Sequence, residues 1–416
     1  MNDATVRPEL TSWMPVAADS DFPIQNLPFG VFRTDSTRVG VAIGDHILDM
    51  AAVHRDGWLG DLNLPPGVFD QSSLNAFIAA GKDVWHSTRA AISGLLADGD
   101  ERISSASTRY LVDRDAAEML LPVDVGDYVD FYSSLEHAGN VGKLFRPDAP
   151  ALLPNWRHLP VAYHGRASSV VVSGTPIVRP HGQRAGQDGP SYGPSTRLDF
   201  ELEVGFVTDN ANTMGSSLDI DTAEEHIFGL CLVNDWSARD IQAWEYRPLG
   251  PYLGKSFATT MSPWLVTLDA LEPFRVDRTP LDPAPLPYLK AAADRSVDIE
   301  LEVALNGSVI SRVDFKRLYW TMAQQLTHAA SNGTNVRAGD LYSSGTVSGI
   351  APDSLGSLLE LSWNATRPVE LDDASTRTFL EDGDAVVLRG RCERPGFARI
   401  GFGDCTGTVL PARGGD

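Results

Sequence analysis

The sequence predicts a mixed, β-rich α+β fold in two domains. Its 416 residues correspond to two domains at roughly 100–200 residues each. From about residue 119 onward, short apolar or alternating runs of the kind that form strands dominate. Helical periodicity is confined to a few segments, and long Pro- and Gly-containing connections separate the strands, as at 173–197 and 244–263. A hydrophobic share of 43% and a charged share of 21% suit a globular chain that buries its own core.

Residues 1–118 read as a small first domain. Val39–Ile43 and His46–Leu48 flank Gly44-Asp45, a hairpin turn. A helix is expected over about 73–80, ending at Gly81. In a second, Trp85, Thr88, Ile92, Leu95 and Leu96 fall on one face, and Gly99 follows its end. Residues 119–416 form the second domain. Strands are expected at Val170–Val172, Leu198–Val207, Ile227–Val233, Trp264–Leu268, Ile299–Ile310, Ala385–Leu388 and Ala398–Phe402. Asn306-Gly307 marks a type I′ hairpin. A long helix is expected over about 315–330, with Leu318, Met322 and Leu326 inward and Asn332-Gly333 at its end.

Charge and composition exclude several functions. The formal net charge is −21 and no Lys/Arg run is present, so nucleic acid and anionic membranes are not expected partners. No 18-residue apolar stretch and no apolar N-terminal leader occur, so neither a membrane span nor a signal peptide is expected. The three cysteines, Cys231, Cys392 and Cys405, lack CxxC spacing. That fits a reducing, cytoplasmic setting.

Three segments could carry chemistry. In Asp199-Phe200-Glu201-Leu202-Glu203-Val204 the carboxylates alternate with apolar residues, so a strand projects all three from one face. Such a face is either solvated or holds a hard cation through oxygen ligands. Glu300-Leu301-Glu302-Val303 repeats the motif, and periodicity alone does not choose between the two pairs. Asp130, Tyr132 and His137 fall within eight positions, and histidine suits general-base work near neutral pH. His158 and His164 compete for that role. In Asn234-Asp-Trp-Ser-Ala-Arg-Asp-Ile-Gln242 and the residues after it, Ser237 is placed to cap a short helix. Arg239, Gln242 and Tyr246 then share one face, which either meets water or holds an anion. Lys255 and Thr259 follow, in a segment without P-loop spacing. Gly345-Thr-Val-Ser348-Gly349 is not a GxSxG elbow, and Gly401–Gly407 leaves no room for a dinucleotide site.

At these segments the chain resembles the fumarylacetoacetate hydrolase family. Asp130-Phe-Tyr-Ser-Ser, Leu153-Pro-Asn-Trp156, Tyr163-His-Gly-Arg-Ala-Ser-Ser-Val170, Asn234–Gln242 and Leu249-Gly-Pro-Tyr-Leu-Gly-Lys-Ser256 carry the likeness. So do Gln324–His328, Ser344-Gly-Thr346, Asp382-Gly-Asp384 and, near the N-terminus, Phe22–Phe29. The resemblance spans essentially the whole chain. It implies a small N-terminal SH3-like barrel and a larger C-terminal mixed β-roll catalytic domain, assembled as a homodimer. It implies metal-dependent hydrolysis of a carbon–carbon bond in a small β-diketo acid, 4-fumarylacetoacetate, the last step of tyrosine and phenylalanine catabolism. Ca²⁺ or Mg²⁺ is the implied cofactor, held by Asp130, Glu201, Glu203 and Asp235 with Lys255 and Thr259 beside them. The implied base is His137 with Glu360 as its partner, and Arg239, Gln242 and Lys255 fall at the oxyanion site. Tyr132, Arg146, Tyr163, Gln242, Tyr246 and Thr346 fall at substrate-contact positions. Gly139 and Lys143 depart from the family pattern near His137. A related acylpyruvate hydrolase is the rival among enzymes; an inactive scaffold is less consistent with a full set of these residues.

Overall fold

A computed structural model describes residues 3–60 and 62–414. The fold is mixed and strand-rich, built on three principal sheets. The first lies in the N-terminal region and is antiparallel, in the spatial order Leu111–Asp113, His46–Asp49, Thr37–Ile43, Phe29–Arg33, Glu118–Leu120. No ladder joins its two edge strands. The expected hairpin is present, with Ile43 paired to His46 across Gly44-Asp45.

The central sheet has eight strands and positions the site. Its principal order is Ala162–His164, Tyr128–Phe131, Leu341–Ser343, Leu202–Thr208, Ile227–Asp235, Thr259–Met261, Val170–Val172. Tyr128–Phe131 runs parallel to Leu341–Ser343, and Thr259–Met261 parallel to Val170–Val172; the other pairs in this order are antiparallel. Every residue of Leu202–Thr208 and Ile227–Asp235 is buried, as expected for strands covered on both faces. The third sheet contains the hairpin Glu300–Leu305 and Ser308–Asp314. Its turn residues Asn306 (φ 52°) and Gly307 (φ 88°) both sit in the left-handed region, which a type I′ turn demands.

Five expected elements differ. The single strand expected at Leu198–Val207 is two, Leu198–Asp199 and Leu202–Thr208. Side chains replace the ladder at the break: Phe200 N–H donates to Asp199 Oδ1 at 2.9 Å and Glu201 N–H to Asn234 Oδ1 at 3.1 Å. The long helix is shorter, Met322–Ala330. A capping box between Thr321 and Gln324 starts it, while Leu318 is extended with ψ 137°. Leu318, Met322 and Leu326 are nonetheless buried. The helix expected over about 73–80 spans only Asn75–Ile78. Strands at Trp264–Leu268 and Ala398–Phe402 contract to Val266–Thr267 and Ile400–Gly401.

The helix Lys82–Leu96 buries Trp85, Thr88, Ile92, Leu95 and Leu96. It also buries Arg89, which ties the N-terminal segment down. Arg89 Nε donates to Thr5 Oγ1 at 2.9 Å, Nη1 to Asn26 O at 2.5 Å and Nη2 to Gln25 O at 2.6 Å. Burial lowers its pKa to about 10, against the opposing pull of Asp269 and Asp3. Arg89→Met keeps the bulk and strands these three acceptors, each worth about 1–3 kcal/mol when left buried and unpaired. Urea denaturation should show a loss of at least about 2 kcal/mol. An unchanged midpoint would show that the anchor does not matter.

Candidate active site

Three strands of the central sheet, and the approach to one of them, deliver four carboxylates to one point. Asp130 lies opposite Ser343 on one side and Tyr163 on the other. Glu203 pairs with Val233, and Asp235 with Thr259. Glu201 sits in the strand break, its backbone O accepting Asp235 N–H at 3.4 Å. Asp130, Glu201, Glu203 and Asp235 are all buried, and each offers an oxygen within 4.8 Å of the others. Lys255 Nζ donates to Asp235 Oδ2 at 2.7 Å and also bonds Glu201. Tyr163 OH donates to Asp235 Oδ2 at 2.6 Å, and Thr259 Oγ1 lies 3.4 Å from Asp235 Oδ1. Tyr128 bonds Asp130 at 3.3 Å, and Ser343 bonds Glu203.

The electrostatics divide the cluster. Burial pushes Glu201 up, but Lys255, Arg239 and His137 together bring it down to about 2. Burial, with Glu203 and Asp235 alongside, drives Asp130 well above the usual carboxylate range. Burial, Glu201 and Asp235 do the same to Glu203. Asp130 Oδ1 and Glu203 Oε1 are buried without a hydrogen-bond partner. Orphaned carboxylate oxygens converging in a low-dielectric site are what a hard divalent cation satisfies. The residues present therefore fit a metal ion.

His137 stands beside this cluster on the helix Leu135–Phe145, where Ser134 Oγ accepts its backbone N–H at 3.2 Å. Its Nδ1 is 2.6 Å from Glu360 Oε2, and its Nε2 is 3.9 Å from Glu201 Oε1. The short carboxylate contact assigns the proton to Nδ1 and leaves Nε2 as the basic nitrogen. Glu360 also accepts from Ser348 Oγ (2.9 Å), Ser357 Oγ (2.9 Å) and Asn140 Nδ2 (3.0 Å). Burial would raise Glu360, but His137 and these donors hold it below the ordinary glutamate value. Tyr132 packs edge-on against the His137 ring at 5.4 Å.

The helix Arg239–Glu245 supplies the cationic wall. Arg239 Nε donates to Asp199 Oδ2 and Nη1 lies by Glu201 Oε1, both at 2.8 Å. Nη1 also reaches Gln242 Oε1 at 3.2 Å, and the buried Nη2 has no partner. Arg239, Gln242 and Tyr246 line a cavity of about 360 Å³ together with His137, Arg146 and Thr346. Tyr132, Tyr163, Asp130, Glu201 and Lys255 complete its walls. Thr346 Oγ1 and Arg146 Nε are buried and unpaired, while Arg146 Nη2 donates to Ala151 O at 3.0 Å.

Two placements differ from expectation. Ser237 does not cap the helix: it lies in a short strand pairing with Leu198–Asp199, and its Oγ donates to Asp235 O at 2.9 Å. Asp199 leaves the face it was expected to share with Glu201 and Glu203, because the strand breaks after it and Arg239 claims it. The competing pair, Glu300 and Glu302, meets arginines instead: Glu302 bonds Arg312 at 2.8 Å and Arg389 at 3.2 Å, and Glu300 bonds Arg391. His164 faces a different cavity, shared with His328. Gly139 has open space where a Cβ would stand, and Lys143 is exposed, so neither departure disturbs His137. Tyr128, Asn140, Ser343, Ser348 and Ser357 carried no signal of their own. Ser348 sits in the GxxSG segment, where it serves a carboxylate instead of acting as a nucleophile.

The chain is similar to known proteins along almost its whole length. Residues 128–410 match the model of the fumarylacetoacetate hydrolase C-terminal domain, and residues 25–122 that of the fumarylacetoacetase N-terminal domain. The fumarylacetoacetase of Rattus norvegicus is 52% identical over 415 residues, covering 96% of this chain and 99% of that protein. The fumarylacetoacetase of Homo sapiens is 51% identical with the same coverage. A solved fumarylacetoacetate hydrolase from Exiguobacterium antarcticum shares the fold at a TM-score of 0.54 and 19% identity, over 93% of this chain and all of that one. With both family models in register along one polypeptide, the chain belongs to the fumarylacetoacetate hydrolase family.

Proposed function

We infer that this protein is a hydrolase that cleaves the carbon–carbon bond of 4-fumarylacetoacetate to give fumarate and acetoacetate. One juxtaposition carries the chemistry: a buried four-carboxylate cluster shares a cavity with a histidine–glutamate pair. The substrate follows from relatives about half identical along the whole chain. Asp130, Glu201, Glu203 and Asp235 would hold the cation, with Lys255 and Thr259 beside them, and hard oxygen donors suit both Ca²⁺ and Mg²⁺. When bound, the cation supplies positive charge for the diketo oxygens as negative charge develops on them.

The protein's own groups do the rest. Nε2 of His137 takes a proton from water as the water attacks the ketone carbon of the fumaryl group, and Glu360 steadies the imidazolium through Nδ1–H. General-base help of this kind is worth about 10²–10⁴ in rate. The unpaired Nη2 of Arg239, the Gln242 amide and the third N–H of Lys255 are available to the oxyanion. When the carbon–carbon bond breaks, its electron pair goes to the acetoacetate carbon, which takes back the proton that His137 removed. Arg146, Tyr132, Tyr163, Gln242, Tyr246 and Thr346 contact the substrate. Arg146 gives an anionic ligand a local positive charge in a protein of net charge −21.

The same reading places the reaction last in tyrosine and phenylalanine catabolism, in the cytoplasm and in a homodimer. Residues 1–118 are a small SH3-like domain that packs against the catalytic domain, 119–416. No helix among the described residues is long and apolar enough to cross a membrane.

Purified protein supplied with Mg²⁺ or Ca²⁺ should release fumarate and acetoacetate in equal amounts, and EDTA should stop both. Failure of a folded, metal-loaded protein to do so would shift the reading to an acylpyruvate substrate. His137→Ala should lower turnover by at least about 10²-fold and leave calorimetric metal affinity intact; a tenth of wild-type activity remaining would remove His137 as the base. Asp235→Ala should weaken metal binding at least about tenfold, since it removes one oxygen ligand of four and leaves Lys255 poorly paired. Unchanged affinity would move the metal elsewhere.

A further inference from the structure

Asp199 lies outside the four-carboxylate cluster and joins the two halves of the machinery. It is fully buried. Its Oδ1 accepts the N–H of Phe200 at 2.9 Å and of Leu358 at 2.8 Å. Its Oδ2 accepts the N–H of Leu359 at 3.0 Å and Arg239 Nε at 2.8 Å. Four donors converge on two oxygens, an arrangement that only an ionised, acceptor-only carboxyl can satisfy in full.

These donors belong to separate parts of the fold. Arg239 opens the helix Arg239–Glu245, lines the cavity and leaves Nη2 unpaired. Leu358 and Leu359 open the short helix Leu358–Leu361, whose next residue, Glu360, holds His137. The strand is broken at this point, so Asp199 is anchored through its own Phe200 N–H while its remaining capacity serves the two helices. The chain gives Arg239 a further acidic contact, Glu201, but that carboxylate also serves Lys255. Without Asp199, nothing fixes the Nε edge of the guanidinium, and the two N–H groups before Glu360 are left buried and unpaired.

We propose that Asp199 is a positioning residue, a single carboxylate that fixes both the Arg239 guanidinium at the oxyanion side and the helix that carries Glu360 at the base side. The proposal rests on the function above, in which Arg239 and Glu360 act. A misplacement of about 1 Å at a reacting group can cost on the order of 10² in rate, so the expected signature lies in kcat.

The test uses the full-length, metal-loaded protein and fumarylacetoacetate. Asp199→Asn keeps the shape but turns one acceptor into a donor facing donors. It should lower kcat by about 10–100-fold, leave KM within about threefold, and leave calorimetric metal affinity within about threefold. Asp340→Asn is the control. Asp340 is also buried and accepts backbone N–H groups from Asp127 and Arg337 at 2.9 Å, and its side chain hydrogen-bonds to no residue of the site. It should cost stability and leave kcat unchanged. Combining Asp199→Asn with Arg239→Gln should cost less than the product of the two single losses, since the Arg239 arm is shared and only the Glu360 arm remains to be lost. Asp199→Glu, which keeps the charge but lengthens the arm, should repeat the loss in kcat. Wild-type-like kcat in a folded Asp199→Asn protein, or fully multiplicative losses in the double variant, would overturn the proposal. So would failure of both Asp199 variants to fold, which would make the residue purely structural. An active wild type with an equally active Asp199→Asn variant would sink this inference alone; an inactive wild type would sink the function on which it rests.

Discussion

Like-charge repulsion among four buried carboxylates is the constraint around which the site is organised. Asp130, Glu201, Glu203 and Asp235 are all buried, and each brings an oxygen within 4.8 Å of the others. Unit charges at such separations interact by several kcal/mol even at an effective dielectric of 20. Nothing in a β-sheet favours that arrangement for packing reasons, since isosteric apolar side chains would be cheaper to bury. The surrounding chain answers with donors. Lys255 bridges Glu201 and Asp235, Arg239 bridges Glu201 and Asp199, and Tyr128, Tyr163 and Ser343 each bond one carboxylate. Even so, one oxygen of Asp130 and one of Glu203 remain unpaired. The shortfall is positive charge, and it is concentrated at the point where a cation fits.

That arrangement also bears on the proposed base, His137. His137 faces Glu360 with Nδ1 and Glu201 with Nε2, so both nitrogens are near carboxylates. The two contacts are unequal. At 2.6 Å, Glu360 makes a hydrogen bond that sets the tautomer; at 3.9 Å, Glu201 makes only an electrostatic contact and leaves Nε2 open to a water. Glu201 in turn is committed to Lys255 and Arg239, which keeps it from competing for the histidine proton. Ser348, Ser357 and Asn140 commit Glu360 in the same way. Each reactive group is thus held by neighbours whose own valences are already used, which is how a site stays in one geometry without a substrate.

Much of this was legible in the sequence, for physical reasons that differ from residue to residue. Asn306-Gly307 announced its hairpin because few dipeptides tolerate two positive φ angles. Arg239, Gln242 and Tyr246 were placed on one face because helical spacing is fixed. The alternation at 199–203 pointed to the acidic strand, but alternation is a backbone property. It could not show that the Phe200 and Glu201 N–H groups would donate to side chains and break the strand, nor that Ser237 would pair as a strand residue instead of capping a helix. The helix expected over about 315–330 failed likewise. The apolar spacing of Leu318, Met322 and Leu326 is real, yet the capping box at Thr321 and Gln324 starts the helix only at Met322. The pairing of His137 with Glu360 spans 223 positions, and no local pattern reports a contact of that range. It came from resemblance.

The long range of these contacts ties the site to the sheet. Asp130 reaches its place because Tyr128–Phe131 runs parallel to Leu341–Ser343 in a register that sets Asp130 against Ser343. Glu203 bonds Ser343 because Leu202–Thr208 flanks the same strand from the other side. A slip of one residue in either ladder would turn Glu203 or Asp130 to the opposite face and bring an apolar neighbour to the site. The register is held by the apolar set on these strands, among them Phe131, Leu202, Val204, Phe206 and Leu232, all in one core cluster. The charges disfavour the assembled sheet and the core favours it, so the site exists only where the core has closed. Chemistry and folding therefore depend on the same register, and a core substitution that loosens these strands acts on the carboxylates before it acts on anything else.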